Sequence, residues 1–168
     1  MPSLRTSAPS DIAVGREELV DAVLAASRTL VAVAARSLAG VAEDVTLPQY
    51  RVLIELASRG PQRPAELATA LGVDRSTATR MCERLVRKNL VRRRRESTDR
   101  RAVRISLTQT GRELVSEVTR RRRAEIARIL RRMPATDRAP VAMALRAFAD
   151  AAGEVPEQDW SLGWGPHA

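Results

Sequence analysis

Side chains suited to catalysis or metal binding are scarce in this sequence, whereas basic side chains are abundant. The one cysteine, Cys82, and the one histidine, His167, are too few for a disulfide framework or for a zinc site built from Cys and His within one chain. The sequence also lacks a phosphate-cradling glycine loop, a nucleophile elbow and two carboxylates set apart on one apolar face. We therefore expect neither an enzyme nor a protein that holds a metal or another cofactor.

The basic residues are the group whose distribution indicates a partner. Residues 61–104 hold 13 Lys or Arg and 5 Asp or Glu, so this segment carries +8 of the formal net charge of +9. A basic cluster on a compact module is the electrostatic footprint of a polyanion such as nucleic acid. Charge alone leaves two alternatives open, a solvated basic surface and a patch that contacts a membrane surface.

A small fold must position this basic segment. The chain has 168 residues and a mass of 18.5 kDa, which fits one domain or two small subdomains that share a core. Aromatic residues make up 2%, so the core must be built from aliphatic side chains, which suits closely packed helices. The apolar stretch 30–35 is too short to span a bilayer, and residues 1–10 lack the apolar core of a signal peptide. We expect a cytoplasmic protein without a membrane partner.

Apolar spacing and capping residues predict six helices and one β-hairpin. Thr46, Asp74 and Thr108 are the predicted N-caps, and Asn89 is expected to adopt a positive φ at a helix end. Pro140 fits the last helix only if it lies in the first turn. The helices are predicted over residues 16–40, 47–59, 64–71, 75–88, 109–132 and 135–152, and the strands over residues 90–95 and 102–107.

The order of these elements predicts the fold. Two short helices joined at Gly72 and followed by a hairpin make a winged helix-turn-helix, so we expect a mainly α-helical fold with a small β wing (α+β). In the second short helix, apolar residues recur at i, i+3, i+4 and i+7 and define one buried face. That face consists of Ala78, Met81, Cys82 and Leu85. The long helices on either side carry more apolar surface than a lone subdomain buries, and a second copy of the chain is their simplest partner.

Residues 47–93, followed by Asp99-x-Arg101 and then by Leu107-Thr108, resemble the MarR family of bacterial transcription regulators. The similarity extends over about residues 16–152. The resemblance implies a homodimer with one winged helix-turn-helix in each subunit. It also implies a repressor that occupies a palindromic promoter site in double-stranded DNA and that a small aromatic, often phenolic, effector releases.

The resemblance and the order of elements together predict how the chain is divided. A flexible N-terminal tail over residues 1–15 precedes a helical dimerisation region formed by residues 16–45 and 109–152. The winged helix-turn-helix lobe that binds DNA spans residues 46–108, and an irregular tail spans residues 153–168.

The predicted helix over residues 75–88 is expected to enter the major groove of DNA. Arg80 is the first candidate for reading a base, because two N–H donors of the arginine fork match O6 and N7 of guanine. The neighbouring candidates are expected to contact a base or a phosphate. The full set of candidates on this helix is Arg75, Ser76, Thr77, Thr79, Arg80 and Arg84. The alternative is that these are ordinary solvated positions on an amphipathic helix.

The wing and its flanks supply further candidate contacts. Arg101 resembles the family's wing-tip arginine, which reaches into the adjacent minor groove, and Asp99 is expected to shape that tip. About two of the four arginines over residues 92–95 are expected to contact phosphate, Arg94 among them, with protection of an exposed strand edge as the alternative. Arg63 is expected to contact a phosphate at the start of the following helix, with a simple exposed arginine as the alternative.

The remaining candidates concern regulation. Tyr50 is the one candidate for contact with an effector, and its alternative role is in the core. Cys82 raises a rival function, a redox-responsive regulator, although its spacing places it on a buried face, where cysteine acts as a small hydrophobe. Another rival is an architectural protein that binds DNA without reading its sequence. Trp160 and Trp164 either anchor the C-terminal tail to the partner subunit or belong to a disordered end.

Overall fold

A computed structural model of the chain describes residues 15–42, 44–95 and 103–160. All six predicted helices and both predicted strands are present, so the mainly α-helical winged fold is confirmed. The elements in chain order are α1 (Arg16–Ala39), α2 (Leu47–Arg59), α3 (Pro64–Leu71), α4 (Arg75–Arg87), β1 (Val91–Arg95), β2 (Val103–Leu107), α5 (Gln109–Leu130), α6 (Ala135–Ala151) and the 3₁₀ turn η1 (Glu157–Asp159).

Side-chain caps begin the helices where the sequence predicted them. Thr108 Oγ1 accepts a hydrogen bond from the Gly111 N–H at 3.0 Å and starts α5. Thr46 starts α2 as half of a capping box, because its hydroxyl oxygen accepts from the Gln49 N–H at 3.4 Å and the Gln49 side chain accepts from the Thr46 N–H. Asn89 adopts the expected positive φ, 56°, just after α4.

The core of the lobe is built around α2. This helix packs against α3, α4, α5 and β2, and Val52, Leu53 and Ala57 on it are fully buried. α4 contributes its predicted apolar face, on which Cys82 and Leu85 are also fully buried. Burying one such leucine side chain contributes about 1.5–3 kcal/mol. The contacts that α2 makes with four other elements therefore fix how α4 and the wing are placed.

The wing is a two-stranded antiparallel hairpin in which Val91 pairs with Leu107 and Arg95 pairs with Val103. Alternation along β2 buries Ile105 and Leu107, as predicted. The sequence did not predict a third strand contact, in which Gln62 and Ile105 exchange backbone hydrogen bonds of 3.0 and 2.7 Å. This bridge ties the connection between α2 and α3 to the wing.

The chain divides into two compact units within α1, between Ala32 and Val33. In the first unit, the described part of α1 exposes large apolar side chains, which are Leu19, Val20, Leu24, Leu30 and Val31. In the second unit, α6 has no buried residue, and Met143 and Phe148 on it are 71% and 56% exposed. Each of these helices thus carries apolar surface that the single chain does not bury. Among the described residues, no helix combines the length and the apolar character that a bilayer span requires.

Two expectations about the C-terminal region are corrected. Pro140 lies inside α6 and beyond its first turn, so the Thr136 carbonyl has no N–H donor four residues later. Trp160 packs against the core of its own chain, and its indole N–H donates to the Val155 carbonyl at 3.0 Å. The segment before it is held by Arg51–Glu154 and Arg123–Glu157 ion pairs of 3.2 and 2.8 Å. Trp164 lies outside the described residues.

We predict that Gly111→Ala destabilises the protein by about 1–3 kcal/mol, although alanine normally favours a helix. A Cβ atom at this position would lie 2.1 Å from the Leu90 carbonyl oxygen and 3.2 Å from Leu107 Cδ2, so backbone atoms must move. Urea denaturation of both proteins measures the change. Thr110→Ala, an exposed neighbour in the same turn, is the matched control and should change stability by less than about 0.5 kcal/mol. Equal stability of the Gly111→Ala and wild-type proteins would contradict the close approach of α5 to Leu90.

Candidate nucleic-acid interface

The interface begins at the turn that joins α3 to α4. α3 ends at Gly72, whose φ of 65° and ψ of 34° are the left-handed conformation that glycine adopts most readily. Two residues later, Asp74 caps α4 by accepting a hydrogen bond from the Thr77 N–H at 2.8 Å. The turn lets α3 and α4 pack against each other. α4 therefore occupies the position of the second helix of a helix-turn-helix.

The predicted recognition residues lie on the face of α4 that points away from the core. Four of the six are exposed and two, Thr77 and Thr79, are half-buried. The Thr79 hydroxyl donates to the Arg75 carbonyl at 2.8 Å, so it is directed back onto its own helix. The exposed members are Arg75, Ser76, Arg80 and Arg84.

Side-chain hydrogen bonds already order this face. Asp74 accepts from the hydroxyls of Ser76 at 2.6 Å and Thr77 at 2.7 Å, and Arg80 Nη2 donates to Thr77 Oγ1 at 3.0 Å. The hydroxyl and N–H donors hold the pKa of the Asp74 carboxyl well below its usual value, so this group is ionised at neutral pH. From its position in the sequence, Asp74 was predicted only as a cap. The spacing of three residues between successive members was the available signal that it also contacts the side chains near Arg80.

Several arginines of this surface have no counter-ion within the described part of the chain. Arg75, Arg84 and Arg87 on α4, and Arg94 and Arg95 on β1, make no ion pair with another described residue. Clustered cations without counter-ions raise the local positive potential and attract an anionic partner.

All four arginines of β1 are exposed. Arg93 pairs with Glu83 of α4 at 3.4 Å, which links the wing to that helix. Arg94 lies directly opposite Arg104 in the strand register. The Arg104 guanidinium donates to the Pro61 carbonyl at 3.0 Å, whereas Arg94 makes no ion pair with another described residue.

The flanking candidates are less fully described. Arg63 is exposed, and its backbone N–H donates to the Glu66 carboxylate at 2.7 Å. That carboxylate uses one of the free N–H donors at the start of α3, which leaves fewer of them for a phosphate. Arg63 stays a predicted contact through its side chain. Asp99 and Arg101 lie outside the described residues, and both stay predictions.

Tyr50, the predicted effector contact, is 3% exposed and belongs to the core. The Arg122 guanidinium carbon lies 5.6 Å from the centre of its ring, a cation–π contact. Burial raises the pKa of the Tyr50 phenol, and Thr119 and Arg122 lower it only in part. Arg122 Nε is buried without a hydrogen-bond partner among the described residues, and the Tyr50 hydroxyl lies beside the Thr119 side chain. The sequence did not single out Arg122, because spacing does not distinguish it within four consecutive arginines.

Cys82 is fully buried in the apolar face of α4. Burial raises the pKa of its thiol, and the positive charge of Arg93 lowers that pKa only in part. A protonated, inaccessible thiol is a poor nucleophile. The described residues also contain no cluster of three or more His, Cys, Asp or Glu that could hold a metal ion.

We predict that native protein reacts with a thiol reagent on the order of 100-fold more slowly than the same protein in denaturing urea, because Cys82 must be exposed by unfolding. Timed alkylation followed by intact mass measurement gives both rates, and the denatured sample serves as the control for complete labelling. Rapid labelling of the native protein would support the redox-responsive alternative.

A family model and curated relatives match the part of the chain that contains this interface. Residues 45–103 match the model of the MarR family. The HTH-type transcriptional repressor MdtR of Bacillus subtilis (strain 168) is 38% identical over 88 residues, which make up 52% of this chain and 57% of MdtR. The chain spans about half the length of the curated relatives it matches.

Solved structures extend the similarity beyond the wing. The crystal structure of RV1404 from Mycobacterium tuberculosis is 45% identical and aligns with a TM-score of 0.79 over 83% of this chain and 95% of that chain. The crystal structure of Streptococcus pneumoniae FabT in complex with DNA aligns with a TM-score of 0.68 over 83% of this chain and 98% of that chain. At 20% identity, the likeness to FabT shows the shared fold alone.

Proposed function

Because this chain belongs to the MarR family of transcriptional regulators, we propose that it binds promoter DNA sequence-specifically as a homodimer and represses transcription until a small molecule releases it. The family consists of regulators and not of enzymes, which confirms the expectation that the chain is not an enzyme.

The observation that carries the proposal is the polar face of α4. Arg75, Arg80 and Arg84 are exposed there, while the opposite face of the same helix is buried in the core. An α-helix held in this way fits the major groove, where an arginine fork distinguishes guanine from the other bases. Arg94 and the predicted Arg101 extend the contact to phosphates and to the flanking minor groove.

The proposed homodimer is supported by apolar surface that a single chain leaves exposed to solvent. α6 has no buried residue and exposes Met143, Leu145 and Phe148, and α1 exposes a further row of apolar side chains. Burial of such side chains against a second copy gains free energy in proportion to the apolar area removed from water. Two-fold symmetry would then place two α4 helices in successive major grooves, about 10 base pairs apart, which requires a palindromic site.

The effector part of the proposal rests on Tyr50 and Arg122. Arg122 Nε is a buried polar atom without a partner among the described residues, and leaving such an atom unpaired costs free energy. A small phenol or carboxylate that accepted from Arg122 Nε beside Tyr50 would be bound by that hydrogen bond as well as by the guanidinium charge. Binding would lower DNA affinity if it changed the separation of the two α4 helices.

We predict that the protein selects a defined motif from a randomised duplex pool and binds it about 1,000-fold more tightly than a scrambled duplex at physiological salt. Arg80→Ala should lose most of that preference, because the arginine fork supplies discrimination as well as charge. Fluorescence anisotropy titrations measure both affinities.

Arg128→Ala, which removes one exposed charge of α5, is the matched control and should keep the preference. Equal affinity of the wild-type protein for all duplexes, with only a steep dependence on salt, would overturn sequence-specific regulation and support the architectural alternative.

We predict that Phe148→Glu converts the dimer to a monomer, because a buried carboxylate in an apolar contact is costly. Affinity for a duplex with two half-sites should fall by about 100-fold, while affinity for a single half-site should be unchanged. Analytical ultracentrifugation and anisotropy give the two readouts, and Arg146→Gln on the same helix is the control. A wild-type protein that sediments as a monomer at micromolar concentration would contradict the homodimer.

A further inference from the structure

Three polar side chains are neighbours at the start of α4, one from the N-cap residue and two from the first two turns. Asp74, Thr77 and Arg80 are spaced three residues apart and form a chain of two hydrogen bonds, from Thr77 Oγ1 to Asp74 Oδ2 at 2.7 Å and from Arg80 Nη2 to Thr77 Oγ1 at 3.0 Å. We name this chain the Asp74–Thr77–Arg80 relay.

The donors and acceptors of the two hydrogen bonds in the relay are fixed by the chemistry of the three side chains. A threonine hydroxyl carries a single hydrogen, and here Thr77 donates it to Asp74 Oδ2. The Thr77 oxygen is therefore left as an acceptor, which is what an arginine N–H requires. An ionised carboxylate accepts only, and the other oxygen of Asp74 already accepts from the Ser76 hydroxyl and the Thr77 N–H. Asp74 thus determines which way the Thr77 hydroxyl points, and Thr77 in turn holds Arg80.

Arg80 is the side chain that gains from this arrangement. It is exposed, and its guanidinium has five N–H donors, of which Thr77 Oγ1 uses one at Nη2. The remaining donors stay available for a base edge. A long side chain that is already held in one orientation loses less rotamer freedom on binding, so its hydrogen bonds contribute more to discrimination.

We propose that Asp74 is a specificity-determining positioning residue, which acts through the Thr77 hydroxyl to orient Arg80 toward a guanine edge and does not itself contact that base. This inference rests on the proposed function, because it presupposes that Arg80 reads DNA. If Asp74 served only as a cap, any residue that supplies one acceptor for the Thr77 N–H would replace it without loss of base discrimination.

Asp74→Asn separates the two roles. Asparagine is as good an N-cap as aspartate, and its carbonyl oxygen still accepts from the Thr77 N–H. Its amide nitrogen, however, donates where Asp74 Oδ2 accepted, so Thr77 loses the acceptor that fixes the direction of its hydroxyl hydrogen, and with it the fixed orientation of the oxygen that holds Arg80. Thr77→Val removes the relay in a second way, since it keeps the shape of the side chain but has no hydroxyl. Thr77→Ser keeps the hydroxyl and is the conservative control.

The experiment selects duplexes from a randomised pool with each of these full-length variants, and then measures affinities for single-base changes by anisotropy. The base pair read by Arg80 is identified as the position at which Arg80→Ala loses discrimination. We expect Asp74→Asn and Thr77→Val to lose about tenfold discrimination at that position and to keep it elsewhere. Thr77→Ser should keep discrimination at that position, and thermal unfolding of all three variants should show that α4 remains capped.

Two outcomes overturn the inference. Discrimination at the Arg80 position that survives both Asp74→Asn and Thr77→Val would show that the relay does not orient Arg80. An equal loss at every position would show that Asp74 serves only the stability of α4. Failure of the proposed function has a separate signature, in which the wild-type protein enriches no motif, and the inference falls with it.

Discussion

The packing of one face of α4 against the core is the constraint on which the rest of the interface depends. Ala78, Cys82 and Leu85 are fully buried, and α2, α3 and β1 all contact this helix. Since an amphipathic helix with one buried face must present the other to solvent, apolar packing decides which face of α4 carries Arg80. The same burial removes Cys82 from solvent, so one apolar face both orients the recognition residues and protects the thiol.

Electrostatics opposes this arrangement, because the lobe concentrates positive charge that its own acidic groups do not balance. Glu83 pairs with Arg93 and Asp44 pairs with Lys88 at 2.8 Å, but the five arginines named above make no ion pair with another described residue. At physiological salt the Debye length is about 8 Å, so repulsion between exposed charges that lie farther apart than this is largely screened. The proposed DNA partner would supply phosphates that remove the remaining repulsion, and binding would therefore depend strongly on salt.

The segment that follows α6 is held to its own chain by ion pairs and by apolar packing, whereas the apolar side chains of α6 are not covered. The Arg51–Glu154 and Arg123–Glu157 pairs attach the segment after α6 to its own chain, and each exposed pair contributes about 0–1 kcal/mol. Packing of Trp160 on the core adds apolar contact to these pairs. The apolar side chains of α6 remain uncovered, so this helix is the part of the second unit that the proposed second copy completes.

The sequence by itself determined what depends on neighbours along the chain. Caps at Thr46, Asp74 and Thr108, the buried face of α4 and the alternation in β2 are local patterns, and each was predicted correctly. Only the tertiary structure decided the Gln62–Ile105 bridge and the position of Trp160 on its own core. The spacing of three residues brings Asp74, Thr77 and Arg80 close together, but only the structure decided the rotamers that join them. These features depend on which distant segments meet and on which rotamer a side chain adopts, and periodicity contains no information about either. The charge pattern thus indicated the kind of partner, whereas the fold decided that the Arg80 side chain is hydrogen-bonded in place for the proposed contact with DNA.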